Sequence, residues 1–489
     1  MKNTYLCSVC IAVYNSEEFL DEAARSVISQ TIGFEDNLQL IFVNDGSTDG
    51  SEEICLSYKN NYPDNVLYLR QDNSGVSSAI NRAILSAEGK YFAFLDADDL
   101  WNPDYLKNAL SFFEDHYDDI DLVSTKIRIF GDRSYDHPMN YKYETTRIID
   151  LNKEPFLIQT TRGNAIFKTQ AIKTLRFDEN VRIHEDILFN TMFLMKRNKY
   201  GVVKDSVYYY RKLNDTSSLS SGLRENTYWY LDIPEKVYMP LIKQSLELYG
   251  NVTPYVQEVL LYAVKWRLKV PLPVHILDSD QQKRFIENIR TTVQYIDDDR
   301  IMKIKNMPVA IKSHLLGFKY GENAFDAALL GNDGRLTYKD KVIYNFGGLG
   351  IAKITGLKEM ADNIQISGIT SCRVGSTKAE MIVKDNKNKD VSVKLCDDHD
   401  NDIVAFNGER IVSGTRFEIK APKKRHVQIR LFIKTDRSDK MFAAKFSRAA
   451  DLVEAETGEG DKLIIENSSK YSAVLQNHTI LSLSKAGLF

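Results

Sequence analysis

The sequence predicts an α/β protein. A mostly parallel, doubly wound sheet is expected first, then a helical segment, then an antiparallel β-sandwich. Three observations support this. Apolar strands alternate with helix-length amphipathic segments over the first hundred residues. Apolar residues recur at helical spacing from about 223 to 316, and short runs of alternating polarity follow from Arg335 onward.

Four apolar strands are predicted in the amino-terminal part, and polar residues follow each of them. The strands comprise residues 5–14, 38–43, 66–69 and 91–95. Segments with apolar residues at helical spacing follow the first three strands. In an open α/β sheet, ligands bind in the crevice outside the carboxyl ends of the strands. The polar segments are therefore the candidate site.

Acidic residues end the fourth strand. Asp96, Asp98 and Asp99 follow it at once. Three carboxylates at one sheet edge repel one another unless a cation lies among them, and Mg²⁺ or Mn²⁺ takes oxygen ligands that it shares with substrate phosphates. The alternative is an acidic turn that caps the helix predicted near Pro103.

The other loops carry polar residues that core packing does not require. Asp45 follows the second strand, where its carboxylate can accept the imide N–H of a uracil ring, and Tyr14 can lay its ring against that base. Alternatively, Asp45 and Asp49 cap a helix. Gly75 lets the backbone approach a ligand, and Ser77 lies at a helix start suited to negative charge. No phosphate-binding G-x-x-x-x-G-K or G-x-G-x-x-G motif follows the first strand, which argues against a nucleoside triphosphatase or a dinucleotide dehydrogenase.

Four motifs, in this order, resemble those of the inverting GT-A glycosyltransferases of family 2. They are VYNS at 13–16, VNDGSTD at 43–49, NSGVS at 73–77 and FLDADD at 94–99. The resemblance implies that Asp45 holds the base of a nucleotide sugar, and that Tyr14 and Asn73 border it. It also implies that Asp96-Ala97-Asp98 is the D-x-D signature, in which Asp96 faces the ribose and sugar. For the Mn²⁺ or Mg²⁺ that bridges the diphosphate, the resemblance implies Asp98 together with Asp96 as ligands. The further substrate-binding residues that it implies are Ala12, Asn15, Ser77 and Ala97.

The segment 184–189 resembles the Glu-Asp pair that heads a helix in this family. An inverting transfer needs a base for the acceptor hydroxyl, so we expect Asp186 to be that base and Glu185 to contact the sugar or acceptor. The alternative is that both acids complement the helix dipole.

In the family, the loop after the strand at 207–212 closes over the diphosphate. Candidates for neutralising the departing nucleotide are therefore Arg211, Lys212 and Ser217. The alternative is that Arg211 and Lys212 are simply a solvated basic pair beside the strand. Two positions depart from the family pattern: Ala12 stands where relatives often have Pro, and Ile80 where they often have Arg.

Length and composition limit the remaining possibilities. A chain of 489 residues is too long for one core, and we expect domains at 1–222, 223–325 and 326–489. A net charge of −3 gives no electrostatic indication of nucleic-acid binding. Without a signal sequence or a long apolar run, the expected location is the cytoplasm, with at most a peripheral contact at the inner face of the membrane. The β region has no catalytic cluster, so acceptor binding or homo-oligomerisation is expected of it.

The layout of the chain resembles bacterial enzymes that decorate wall teichoic acid or build capsular polysaccharide. We therefore expect inverting transfer of a sugar from a UDP-sugar to a glycan or polyol-phosphate acceptor. Two alternatives are a nucleotide-sugar-binding regulator without turnover and a nucleotidyltransferase. A nucleotidyltransferase would need a Gly-rich basic loop after the first strand, where Tyr14-Asn15-Ser16-Glu17 stands instead.

Overall fold

The chain forms two compact units in the computed structural model. Unit 1 comprises Met1–Val264 and Pro273–Ile296, and unit 2 comprises Lys265–Leu272 and Asp297–Phe489. The structure describes residues 5–213, 225–268, 276–304, 307, 309–321, 324–346, 352–374, 377–397, 403–404, 410–423, 426–444, 446–448, 453–457, 460–463, 471–476 and 480–485.

The helices predicted between 223 and 325 are divided between the two units, while the three-domain boundaries stay a prediction. Within the described ranges, no helix is long and apolar enough to cross a membrane.

Unit 1 is built on one mixed, mostly parallel sheet, which confirms the predicted fold class. Its strands are β1 (Tyr5–Val13), β2 (Leu38–Asn44), β3 (Val66–Arg70), β4 (Gly89–Phe94), β5 (Leu100–Trp101), β6 (Leu122–Gly131), β7 (Tyr135–Asp136), β8 (Arg147–Asp150), β9 (Ala165–Lys168) and β10 (Lys199–Lys212). The order is β3-β2-β1-β4-β9-β6-β10-β5, with β7 on β6 and β8 on β10. β1 to β4 are mutually parallel, and β9 runs antiparallel to both of its neighbours.

The helices of unit 1 follow the strands as predicted for an α/β fold. They are α1 (Leu20–Ile28), α2 (Phe34–Asn37), α3 (Ser51–Asn61), α4 (Val76–Ser86), α5 (Tyr105–Asp115), α6 (Thr169–Ile172), α7 (Glu185–Met195), α8 (Thr227–Tyr230), α9 (Met239–Tyr249), α10 (Pro254–Leu268) and α11 (Ser279–Gln294), with a 3₁₀ turn at Asn140–Tyr143 and a π-helical turn at Pro234–Tyr238. The last residues of α10 belong to unit 2.

The centre of the sheet is apolar on both faces. Every residue of β2 is buried, as expected for a parallel strand covered on each side by helices. Side chains of β1, β2 and β4 share one core cluster with residues of α1 and α5, including Val9, Leu40, Tyr91, Ala24 and Leu106. This packing fixes the strand ends from which the polar loops emerge.

Unit 2 contains short helices and a largely antiparallel β structure, which agrees with the alternating pattern of the sequence. Its helices are α12 (Asp298–Lys303), α13 (Val309–Tyr320) and α14 (Ala324–Ala327). The strands are β11 (Leu329–Leu330), β12 (Arg335–Tyr338), β13 (Lys341–Asn345), β14 (Ala352–Glu359), β15 (Asn363–Val374), β16 (Thr377–Asp385), β17 (Val393–Asp397), β18 (Ile403–Val404), β19 (Arg410–Pro422), β20 (His426–Thr435), β21 (Ser438–Ala444), β22 (Phe446–Arg448), β23 (Val453–Thr457), β24 (Gly460–Leu463), β25 (Tyr471–Gln476) and β26 (Ile480–Lys485). β14 and β22 pair in parallel, in contrast to the antiparallel pairs around them.

We predict that Gly89→Ala destabilises unit 1, because the start of β4 touches the backbone of β1. A Cβ at Gly89 would lie 2.4 Å from the Ser8 nitrogen. Overpacking of this kind costs about 1–3 kcal/mol. Urea denaturation measures the change, and Glu88→Ala is the control, since an exposed side chain there alters stability by about 0.5 kcal/mol or less. Equal stability of the two variants would contradict the contact.

Candidate active site

The predicted site residues gather where β1, β2 and β4 end. The Asp45 amide donates to the Val13 carbonyl (2.8 Å), and the Leu95 amide donates to the Cys10 carbonyl (3.0 Å). These two bonds extend the parallel pairing to the first residues beyond the strands. The loops that begin at Tyr14, Asp45 and Leu95 therefore leave the same edge of the sheet.

Asp45 fixes the loop that follows β3. Its buried carboxylate accepts hydrogen bonds from the Ser74 and Gly75 amides and from the Gln71 side chain, each at 2.8 Å. Gly75 has φ +89°, a conformation that favours glycine, and it lies directly before α4. Asp45 is thus bonded to the loop at 71–75 and does not cap a helix. Its contact with a base stays a prediction.

Asn15 fixes the neighbouring loop in a similar way. Its backbone is left-handed (φ 47°), its side-chain oxygen accepts the Thr48 amide (2.8 Å), and its own amide donates to Ser47 Oγ (3.1 Å). Tyr14 beside it is 51% exposed, so its ring is available to a ligand. The strand end and the two loops thus form a preordered edge with one free aromatic ring.

The remaining nucleotide-side candidates differ in accessibility. Asn73 is exposed, Ala12 is partly buried, and Ser77 is buried in the first turn of α4. Within the described ranges, Ser77 Oγ has no hydrogen-bond partner. Ile80, which stands where relatives often have Arg, is buried in the core.

Arg162 joins the D-x-D segment to the head of α7. Its guanidinium is ion-paired through Nη2 with Asp96 Oδ1 and through Nη1 with Glu185 Oε1, the latter at 2.9 Å. The exposed fractions of the Arg162 and Glu185 side chains are 14% and 9%. A buried charge persists when it is paired and hydrogen-bonded, and here one cation serves two acids from different elements. We call this arrangement the Asp96–Arg162–Glu185 bridge.

Tyr208 and Arg211 hold the other side of the acidic turn. Tyr208 Oη donates to Asp99 Oδ2 (2.6 Å) and lies 3.3 Å from Asp96 Oδ2, while the Arg211 amide donates to Asp99 Oδ1 (2.7 Å). Desolvation, together with the Asp98 and Asp96 charges, raises the pKa of Asp99 well above its usual value. Asp99 is fully buried and has a structural role.

Asp98 differs from its two neighbours because its side chain is exposed. Within the described part of the chain, its carboxylate has no hydrogen-bond partner from another residue. Although Asp98 reaches solvent, the protein around it still removes part of its hydration, and this desolvation together with the nearby Asp96 carboxylate raises the pKa of Asp98 to about 6. A free carboxylate in an anionic setting fits a divalent cation.

The described residues contain no group of three His, Cys, Asp or Glu side chains arranged to hold a metal ion. Asp98 would therefore supply one protein ligand, and diphosphate oxygens would have to supply others, as is usual for Mg²⁺. Asp96, the second predicted metal residue, is engaged by Arg162 and Tyr208.

Glu185 and Asp186 begin α7, after a left-handed His184 (φ 66°). Burial raises the pKa of Glu185, and Arg162 opposes that shift. Burial first and the Glu185 charge second raise the pKa of Asp186 to about 8. Asp186 Oδ1 accepts the Ile187 amide (2.7 Å), and no hydrogen bond to Oδ2 is seen among the described residues. A base whose pKa lies near neutrality suits general-base chemistry.

Arg211 clamps the outer side of the acidic turn. Its Nε donates to the Asp98 carbonyl (2.7 Å), and its Nη2 donates to Glu22 (2.5 Å). The guanidinium carbon lies 4.4 Å from the ring centre of Phe19 and 4.6 Å from that of Phe130. Lys212 is exposed, and Ser217 lies outside the described residues. Neutralisation of a departing nucleotide by these three residues stays a prediction.

The Glycosyl transferase family 2 pattern matches residues 8–179. The minor teichoic acid biosynthesis protein GgaA of Bacillus subtilis (strain 168) is 30% identical over 361 residues, which cover 72% of this chain and 78% of GgaA. The chain belongs to glycosyl transferase family 2.

A second relative is longer than this chain. The minor teichoic acid biosynthesis protein GgaB of the same organism is 34% identical over 462 residues, which cover 92% of this chain and 50% of GgaB. This chain thus spans half the length of GgaB.

Solved structures share the fold. The crystal structure of S. aureus TarS has a TM-score of 0.59 at 18% identity and covers 99% of this chain and 85% of that chain. A TarS fragment, 1–349, solved in complex with UDP-GlcNAc, has a TM-score of 0.51 at 19% identity and covers 68% of this chain and 97% of that chain.

The family 2 motifs did not identify Arg162 or Tyr208. Arg162 lies just before the apolar strand β9, and a basic residue at that position is the signal that could have singled it out. The family 2 motifs gave no indication of the contacts of Asn81 either. Its amide group bonds the Phe177 carbonyl and amide (2.9 Å each) and Glu179 (3.1 Å), which ties α4 to the segment before α7.

We predict that Arg162→Met destabilises the protein by about 3 kcal/mol, because removing one partner of a buried ion pair leaves uncompensated charge. Urea denaturation at neutral pH measures this change. Arg70→Met is the control, since Arg70 is 58% exposed and its pair with Glu52 belongs to the surface class worth about 1 kcal/mol or less. If both variants lost the same stability, the Asp96–Arg162–Glu185 bridge would be no stronger than a surface pair.

Proposed function

We propose that this chain transfers a sugar, with inversion, from a UDP-sugar to a polyol-phosphate or related cell-surface glycan, such as a teichoic acid or capsule chain, and that the transfer requires Mn²⁺ or Mg²⁺. One observation carries the proposal. The Asp96–Arg162–Glu185 bridge connects the turn that bears a free Asp98 carboxylate with the helix head that bears Asp186. An inverting transferase needs a carboxylate toward the diphosphate and a base toward the acceptor.

The relatives support the choice of donor and acceptor. The TarS structures include complexes with UDP and with UDP-GlcNAc, and the S. aureus (strain Mu50) protein is named a poly(ribitol-phosphate) β-N-acetylglucosaminyltransferase. GgaA and GgaB are named for minor teichoic acid biosynthesis. These names describe those proteins. Combined with the site above, they favour a UDP-sugar donor and a polyol-phosphate acceptor for this chain.

The proposed reaction gives residues of this chain four separate roles. Asp186 takes the proton of the acceptor hydroxyl while that oxygen forms a bond to the anomeric carbon, and the bond from this carbon to the diphosphate oxygen breaks. Tyr14 and the loop fixed by Asp45 orient the nucleotide. A divalent ion held by Asp98 would neutralise diphosphate charge as UDP departs. Arg211 keeps the Asp98 turn in place.

We predict that Asp186→Asn lowers kcat by about 10²–10⁴-fold, because an amide cannot take the proton. UDP affinity should stay near that of the wild type. In the wild type, kcat/KM should rise with pH as Asp186 loses its proton, in the range set by its pKa of about 8. The variant should lack that rise. The measurements are UDP release over a pH series and UDP binding by calorimetry.

Asp45→Ala is the matched control for Asp186→Asn. Loss of three hydrogen bonds frees the loop at 71–75, so UDP affinity should fall while Asp186 stays intact. Wild-type turnover in Asp186→Asn, or UDP affinity as weak as in Asp45→Ala, would show that Asp186 is not the base. Glu185 would then be the first alternative candidate for the base.

We predict that metal removal by EDTA, or the substitution Asp98→Asn, abolishes UDP release and sugar transfer, because the diphosphate charge would be uncompensated. Readdition of Mn²⁺ should restore the wild type but not the variant. Asp118→Asn is the control, since it neutralises an exposed carboxylate beyond the carboxyl end of α5. Full activity in EDTA would refute the metal requirement.

A further inference from the structure

Lys142 is a buried lysine that has no acidic partner among the described residues. It is 5% exposed, and its Nζ donates to the Ile158 carbonyl (2.8 Å) and to Gln159 Oε1 (2.7 Å). Within the described residues, no Asp or Glu lies within ion-pair distance of it. Its Nζ lies 5.2 Å from the ring centre of Tyr143 and 5.5 Å from that of Tyr200. Burial lowers the pKa of Lys142 to about 7. A methionine would fill similar space without this cost, so the ammonium group itself calls for an explanation.

Gln159 connects Lys142 with the segment that contains Arg162. Its Oε1 also accepts from Ser124 Oγ (2.6 Å), while its Nε2 donates to the Thr161 carbonyl (2.7 Å) and to Asn164 Oδ1 (2.9 Å). Gln159 is fully buried, and its bonds to Lys142, Ser124 and Asn164 form away from water. Lys142 thereby orients the amide group that holds Thr161 and Asn164.

Asn164 closes the turn around Arg162. Its side chain donates to the Thr125 carbonyl (2.5 Å) and to Tyr143 Oη (2.9 Å), and it accepts from Thr161 Oγ1 (2.5 Å). Its carbonyl accepts the Thr125 amide (2.9 Å). The residues on both sides of Arg162 are therefore bonded to β6 or to one another.

We propose that Lys142 is a positioning residue for the Asp96–Arg162–Glu185 bridge. Through Gln159 and Asn164 it sets the backbone from which Arg162 reaches both acids. Its kinetic consequence rests on the proposed function, because Glu185 precedes the base Asp186 on α7. Loss of the ammonium should shift the bridge and slow the chemical step, whereas the nucleotide-side loops at β1 and β2 keep their own bonds.

The test compares Lys142→Met, Gln159→Met and the double variant in the full-length protein. Lys312→Met is the matched control. Lys312 is 8% exposed and donates to the Met302 carbonyl (2.8 Å), and both residues belong to unit 2. Three quantities are measured for each variant: kcat for UDP release, the Kd for UDP, and amide hydrogen exchange of the peptide spanning 161–166.

Each single variant should lose about 10²-fold in kcat, which is the cost of a small misplacement of reacting groups. The Kd for UDP should stay unchanged, and exchange should accelerate at the Ala165 amide, which bonds the Arg162 carbonyl (2.9 Å). The double variant should lose no more than either single variant, because both break one chain of contacts. Lys312→Met should change none of these three quantities.

Several results would overturn the proposal: faster exchange with wild-type kcat, unchanged exchange, losses that multiply in the double variant, or the same kcat loss in Lys312→Met. If Lys142→Met does not fold, Gln159→Met and its exchange pattern decide the question. If the wild type releases no UDP from any nucleotide sugar, the proposed function fails. The exchange measurement then still shows whether Lys142 positions the turn.

Discussion

The buried guanidinium of Arg162 is the interaction on which the site depends. Asp96 lies beyond β4 and Glu185 begins α7, so the two acids come from segments far apart in the sequence. Without a cation between them, these carboxylates would repel each other in a poorly solvated place. Their joint pairing with Arg162 determines how the D-x-D turn faces the helix that carries Asp186. The sheet provides the edge at which the loops meet, and the Arg162 side chain sets the distance between the turn after β4 and the start of α7.

The charge balance at this edge explains the different roles of the neighbouring acids. Arg162 serves Asp96 and Glu185, while the backbone amide and hydroxyl donors of Arg211 and Tyr208 serve Asp99. Asp98 has neither kind of partner within the described ranges. Adjacent residues of the same type thus divide into structural, bridging and open carboxylates according to what the protein places beside them.

Much of this arrangement could be predicted from the sequence. Apolar runs of strand length bury both faces of a parallel strand, so β1, β2 and β4 were recognisable. Polar residues that follow parallel strands lie at the same edge of the sheet, so the proximity of Tyr14, Asp45 and Asp96 could be predicted from the sequence.

The remaining features depend on contacts that no spacing encodes. Arg162 and Asp96 are 66 positions apart in the sequence, and Asn81 and Phe177 are 96 positions apart. Lys142 lies between two tyrosines, and nothing in the sequence around it, which includes Glu144, marks it as a buried side chain. The loop bonds of Asp45 were equally hidden, because an aspartate after a strand looks the same whether it meets a ligand or a neighbouring loop.

The hydrogen bonds of Asp45 bear on which pyrimidine this edge can accept. A carboxylate offers about four acceptor positions, and three are already taken by protein donors. The remaining lone pair can only be matched by a group that brings its own hydrogen. Uracil presents an N–H at ring position three, whereas cytosine presents a lone pair there. Two lone pairs facing each other repel, so the predicted contact between Asp45 and a base would favour uracil over cytosine.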